Sequence, residues 1–163
     1  MNIKKISQMG LLMGIALIIF IIELRLPNLT PIPGIKLGLS NIITVYALYH
    51  FSSKDTILIL TGRILLGSFF AGNMISLLYS IGGGTLCLIL MIPLHKILDE
   101  NHIWISSVFG AAAHNIGQII VAIAVMNTFS VLTYLPFMLV AGCLAGTFTG
   151  VVAQIIIKRI DIK

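Results

Sequence analysis

The chain has 163 residues, of which 58% are hydrophobic and only 9% charged, and its mean hydropathy is +1.10. A soluble domain of this length needs a charged skin that this composition cannot make. The net charge of +5 does not point to nucleic acid, because the ten lysines and arginines sit mostly at the ends of apolar stretches, where they set orientation in a bilayer.

A first helix is expected over residues 6–22, after Lys4 and Lys5. It is too long for the apolar part of a signal peptide and no Ala-x-Ala-like site follows it, so it reads as retained. Residues 23–38 contain Pro27, Pro31, Pro33 and Gly34, which rule out a continuous helix there. A short second helix is expected over 39–51, then a polar turn at 52–55 with Asp55 near the start of a third helix over 56–71. The fourth helix covers 74–97, with Gly82, Gly83 and Gly84 inside it and Pro93 near its end. After a polar loop at 99–102 the fifth runs over 104–126. A short uncharged turn at 127–130 leads to the sixth, over 132–157, and a basic tail.

Spans of about 20 residues cross a hydrocarbon layer of about 30 Å, so these elements describe one transmembrane domain over 1–163 and little else. The expected fold is an all-α integral membrane protein, a six-helix bundle that passes repeatedly through a bacterial inner, or cytoplasmic, membrane. Lys4, Lys5, Lys54, Lys96, Lys158, Arg159 and Lys163 fall on one side of such a bundle, and Arg25 and Lys36 on the other. The positive-inside rule then places both termini in the cytoplasm. Small residues recur at packing spacing: Gly10 and Gly14 on the first helix, Gly110, Ala113 and Gly117 on the fifth, and Gly142, Gly146 and Gly150 on the sixth.

Polar residues inside the spans carry the functional information. Arg63 lies about 12 Å into the third helix, where a cation costs at least a few kcal/mol. No acid matches its depth, since Glu23 is read at the outer end of the first helix and Asp55 at the inner end of the third. Arg63 therefore binds an anionic group, or else caps carbonyls at a break such as 82–84 or snorkels inward. His114 and Gln118 share a face of the fifth helix and Asn115 points about 100° away. They form a ligand surface, or interhelical hydrogen bonds. Residues 31–41, PIPGIKLGLSN, are expected to be an ordered non-helical entry to the second helix, with Lys36 as an outer cation, or else a simple connector.

Catalysis finds no support. There are three aspartates and two glutamates, none in an Asp-rich magnesium motif. There is no phosphate-binding loop for ATP, no Ser/His/Asp set at one depth, and no zinc-ligand pair among the four histidines. Cys87 and Cys143 read as small buried hydrophobes. The chain is expected to be no enzyme and to carry no metal or cofactor.

Several segments together resemble a known family: PGIKLGLSN from Pro33 to Asn41, RILLGS from Arg63 to Ser68, Tyr79-Ser80 with Gly82-Gly83, HNIGQ from His114 to Gln118, and Tyr134-Leu135-Pro136. They resemble the Gx transporter family, often labelled heptaprenyl diphosphate synthase component I, over nearly the whole chain. The resemblance implies a relative of the S-components of energy-coupling factor transporters. Such a subunit has six helices and binds a vitamin-like or anionic amphipathic molecule from outside. It works with a transmembrane coupling protein and two ATPase subunits. Site residues are then Lys36, Asn41, Arg63, Tyr79, His114, Asn115 and Gln118 beneath a roof of residues 27–38, with a ligand's aromatic portion stacked on Tyr79. Gly10 and Gly14 would contact the coupling protein. The alternative is a membrane accessory or anchoring subunit of an isoprenoid or quinone biosynthesis complex, in which those polar residues are satisfied by other helices.

Overall fold

The computed structural model describes residues 2–26, 36–72 and 74–161. Six α-helices make up almost all of it: α1 (Ile3–Glu23), α2 (Asn41–His50), α3 (Ser53–Ala71), α4 (Met74–Ile97), α5 (Ile103–Met126) and α6 (Leu135–Asp161). Short 3-10 segments precede α5 (Glu100–His102) and α6 (Phe129–Tyr134). No strand occurs among the described residues.

Local chemistry sets the ends. Asn2 caps α1 through its side chain, which accepts from Lys4 N. Ser52 and Asp55 form a reciprocal capping box at the start of α3, which satisfies two backbone donors at once. Lys5 Nζ stands 2.6 Å from Asp55 Oδ2 and ties the start of α1 to that cap. Gly72 ends α3 at φ +62° and Asn127 ends α5 at φ 54°. These are left-handed conformations that glycine and asparagine tolerate.

The sixth helix begins at Leu135, not at the expected 132. Pro136 explains this: its fixed φ suits the first turn of a helix, so α-geometry starts there and the preceding residues wind more tightly. The third helix begins three residues earlier than expected because its cap is Ser52.

The stretches Ile3–Glu23, Met74–Ile97, Glu100–Met126 and Phe129–Arg159 are long and apolar enough to cross a bilayer. The chain is therefore an all-helical membrane protein. α2 has 10 residues, which reach about 15 Å and cannot cross alone. α3 has 19 but carries Lys54, Asp55 and Arg63. Phe69 is 82% exposed and Phe137 74%; water would penalise such surfaces, whereas lipid solvates them.

α5 is the centre, packed between α4 and α6. Glycines set how close the backbones come. A Cβ on Gly117 would meet the Gly82 backbone, with Gly83 Cα at 2.9 Å. One on Gly150 would lie 2.6 Å from Trp104 Cα and 2.7 Å from Ser107 Cβ. One on Gly146 would lie 2.9 Å from Val108 Cα. The small-residue faces of α5 and α6 are thus internal seams. α1 sits apart, against α3 and α2. Gly10 and Gly14 differ from the others, since a Cβ on either would meet nothing within 4 Å.

This contrast gives a test. Gly150→Ala pushes a methyl into backbone that cannot move aside and should cost about 1–3 kcal/mol, read as a lower thermal midpoint in detergent. Gly14→Ala meets open space and should hold or raise the midpoint, because alanine favours a helix over glycine. Equal midpoints for the two variants would contradict the seam.

Candidate functional site

A polar cavity lies where α1, the segment before α2, α3, α4 and α5 converge. Its walls are Phe20, Glu23, Lys36, Gly38, Ser40, Arg63, Ile64, Ser80, His114 and Gln118. Its free volume is about 20 Å³, room for about one water.

Each wall has a reason in the sequence. On α1, Ala16, Phe20 and Glu23 are all buried and repeat at helical spacing, so the carboxylate falls on the inward stripe. The chain after α1 returns to it: Gly38 N donates to Glu23 Oε1 at 2.5 Å. Gly38 has φ +81°, and a Cβ there would lie 2.9 Å from Asn41 Nδ2 and 3.3 Å from His114 Cδ2. Glycine is needed for both the conformation and the space.

Arg63 of α3 is 5% exposed. Its Nη1 donates to Ser40 Oγ and its Nη2 to Asn41 Oδ1 at 3.2 Å. Its Nε has no partner, and neither has Asn41 Nδ2. Glu23 lies close enough to Arg63 and Lys36 to feel both charges. Among the described residues, however, the ion pair within 4 Å is Lys5–Asp55, and Arg63 makes none. Its direct partners are neutral.

Gln118 of α5 clamps the segment before α2. Its Oε1 accepts from Lys36 N at 3.2 Å, and its Nε2 donates to Lys36 O at 3.1 Å. The same Nε2 is 2.6 Å from His114 Nε2. With the amide donating, Nε2 of the ring is the acceptor and the ring proton sits on Nδ1. That side faces Gly83, where a Cβ would stand 2.8 Å from Nδ1. The glycines of α4 thus make room for the imidazole. Lys36 Nζ donates to Ser76 Oγ at 2.7 Å and lies 3.8 Å from the centre of the Phe20 ring.

Of the residues picked out in the sequence, Lys36, Arg63, His114 and Gln118 line this cavity and Asn41 holds Arg63. Two are elsewhere. Tyr79 is buried in an apolar cluster with Ile119, Ala122, Val131 and Met138, so the expected stacking surface is covered by its own bundle. Asn115 turns to α6, where its Nδ2 donates to Met138 O at 2.5 Å. It follows the 100° offset from His114 rather than joining it. The expectation that no acid reaches Arg63's depth also fails, because Glu23 enters the same cavity. Of the expected roof, Lys36, Leu37 and Gly38 are described and residues 27–35 lie outside the described part. Glu23, Phe20, Ser40, Ser76 and Ser80 were not anticipated. The helical stripe of Ala16, Phe20 and Glu23 was a usable signal for the first two.

His, Cys, Asp and Glu side chains do not assemble into a metal-binding group among the described residues. The chemistry the cavity offers is recognition: two cations, one carboxylate, an imidazole, a carboxamide and hydroxyls in a region from which water is nearly excluded.

The family model described as heptaprenyl diphosphate synthase component I matches residues 12–156, and the chain belongs to that family. No curated protein and no solved structure matches it at a significant level.

Gln118 is the clamp whose removal is most readable. Gln118→Leu leaves Lys36 N–H and C=O without their partners, at a cost of about 1–3 kcal/mol. Hydrogen exchange of the Lys36 peptide should accelerate and the thermal midpoint should fall. Unchanged exchange would mean that Gln118 does not hold the segment.

Proposed function

We propose that this member of the heptaprenyl diphosphate synthase component I family is a membrane binding subunit for a small anionic molecule. It works in the manner of an energy-coupling factor S-component and has no catalytic role of its own. The carrying observation is Arg63. A buried guanidinium whose direct partners are a serine and an asparagine, with Nε unpaired, is incompletely satisfied, and such a charge persists in a membrane interior only for a reason. Lys36 adds a second cation and Glu23 balances only one. An anion is the missing partner. The cavity has room for about one water, so a ligand enters as the Lys36–Gly38 segment moves away from Gln118 and Glu23.

In this reading α2 and α3 complete a six-span bundle with both termini in the cytoplasm. The open face around Gly10 and Gly14 is where a transmembrane coupling protein approaches, and two ATPase subunits supply the energy. A second reading is favoured by the family's description: a membrane component that assembles with other components of an isoprenoid diphosphate synthase. In that case the polar cluster serves folding rather than binding.

The two readings separate on Arg63. Small molecules retained by the purified protein are identified by mass spectrometry and titrated back. Arg63→Ala should weaken binding by about 10- to 100-fold, the worth of a charge-assisted hydrogen bond, and Arg63→Lys should recover part of it. Unaltered affinity at normal thermal stability would favour the assembly reading. Topology is tested separately: in a cysteine-free background, an impermeant thiol reagent added outside should label Ser130→Cys and spare Ser53→Cys. The reverse pattern would invert the orientation.

A further inference from the structure

Ile64 has two surroundings. It forms part of the polar cavity beside Arg63, and it also lines a groove on the outer surface of the bundle between α3 and α4. The groove measures about 430 Å³. Leu60, Ile64 and Leu88 form its buried floor. Ile57 and Leu65 of α3 and Ile81 and Ile89 of α4 form its exposed rims. Gly84 keeps the two helices close at the floor, since a Cβ there would stand 3.1 Å from Ile64 Cδ1 and 3.2 Å from Leu60 Cδ2. Thr61 and Thr85 supply the hydroxyls in the walls, and Thr61 Oγ1 already donates to Ile57 O at 2.8 Å. The groove therefore offers a chain almost nothing but hydrocarbon.

An apolar groove facing lipid would be filled by any acyl chain. Its neighbour is what distinguishes this one. One isoleucine side chain is the common wall between the groove and a cavity with two cations against one carboxylate. We infer that the bound molecule is a single-chain amphiphile: its anionic head sits with Arg63 and Lys36, and its apolar chain passes Ile64 into the α3/α4 groove. This rests on the binding reading above and adds the substrate class to it. A head-only anion would leave the groove unused, and a neutral lipid would leave the cations unpaired. The groove is one channel between two helices and so accepts one chain.

Farnesyl monophosphate, one branched chain on one phosphate, is the probe, and methyl phosphate is the head without the chain. Both are titrated into the full chain in phosphatidylcholine nanodiscs, with empty discs subtracted. Farnesyl monophosphate should bind at least about tenfold more tightly than methyl phosphate, a difference of about 1.4 kcal/mol or more. Thr85→Trp fills the groove from an exposed position. It should abolish that difference and leave methyl phosphate affinity unchanged. Arg63→Ala should weaken both probes. If Arg63→Ala weakens both probes and Thr85→Trp changes neither, the chain site is wrong and the binding reading stands. If Arg63→Ala changes neither, both fall. Binding of neither probe by the unmodified protein overturns the assigned class. So does equal competition by farnesol, or displacement of the probe by phosphatidylglycerol mole for mole.

Discussion

The cost of a buried guanidinium organises this bundle. Arg63 is buried within α3, and the cavity it lines has room for about one water. Two neutral oxygens reach it, from Ser40 and Asn41, and both come from the junction where the chain enters α2. That junction must therefore lie deep within the fold. α2 then has room for only 10 residues before its end at His50. The short second helix and the deep cation are two sides of one arrangement.

Bringing irregular backbone to that depth creates a second demand. Its peptide groups need partners, because non-helical segments are tolerated in membranes only where protein or enclosed water satisfies them. Gln118 takes both polar groups of Lys36, and Glu23 takes the N–H of Gly38. The carboxamide and the carboxylate are thus spent on backbone, not on each other. The glycines follow from the same demand. Gly38 and Gly83 are small because the His114 ring lies against both, while Gly117, Gly146 and Gly150 bring α4, α5 and α6 close enough to build the wall behind it.

How far this was legible in the sequence depends on which kind of signal each residue carries. Helices α4 and α5 were readable to within a residue because hydropathy and length fix them. Arg63, His114 and Gln118 were readable as a group because a polar side chain in an apolar run is conspicuous. Glu23 is less legible, because a residue at the end of α1 reads as a surface position in the sequence. The return of Gly38 to the carboxylate is a tertiary event with no periodicity to announce it. Tyr79 was misplaced for a related reason. A tyrosine next to a glycine run can face the cavity or the seam, and only the 3-10 turn before α6, which brings Val131 against it, decides for the seam. Asn115 obeys the helical offset that its sequence position dictates and turns to α6.

The charge balance of the cavity carries the functional argument furthest. Two cations and one carboxylate share a space that holds about one water. In a region of low dielectric an excess charge is felt over long distances, because few mobile dipoles oppose it. Serine and asparagine oxygens reduce that excess without cancelling it, and the unpaired Arg63 Nε marks what they leave over. A cluster serving only to join helices would do better with neutral groups on every side, since interhelical hydrogen bonds between hydroxyls and amides need no net charge. The bundle contains such bonds elsewhere, between Ser107 and Thr149 and between Asn115 and Met138, and no charged side chain takes part in either. The charge is kept where the cavity is, beside the non-helical segment that leads into α2 and against a wall whose far side is bare hydrocarbon. Excess charge beside an apolar groove is the feature that supports the proposed binding reading over a purely structural contact between helices.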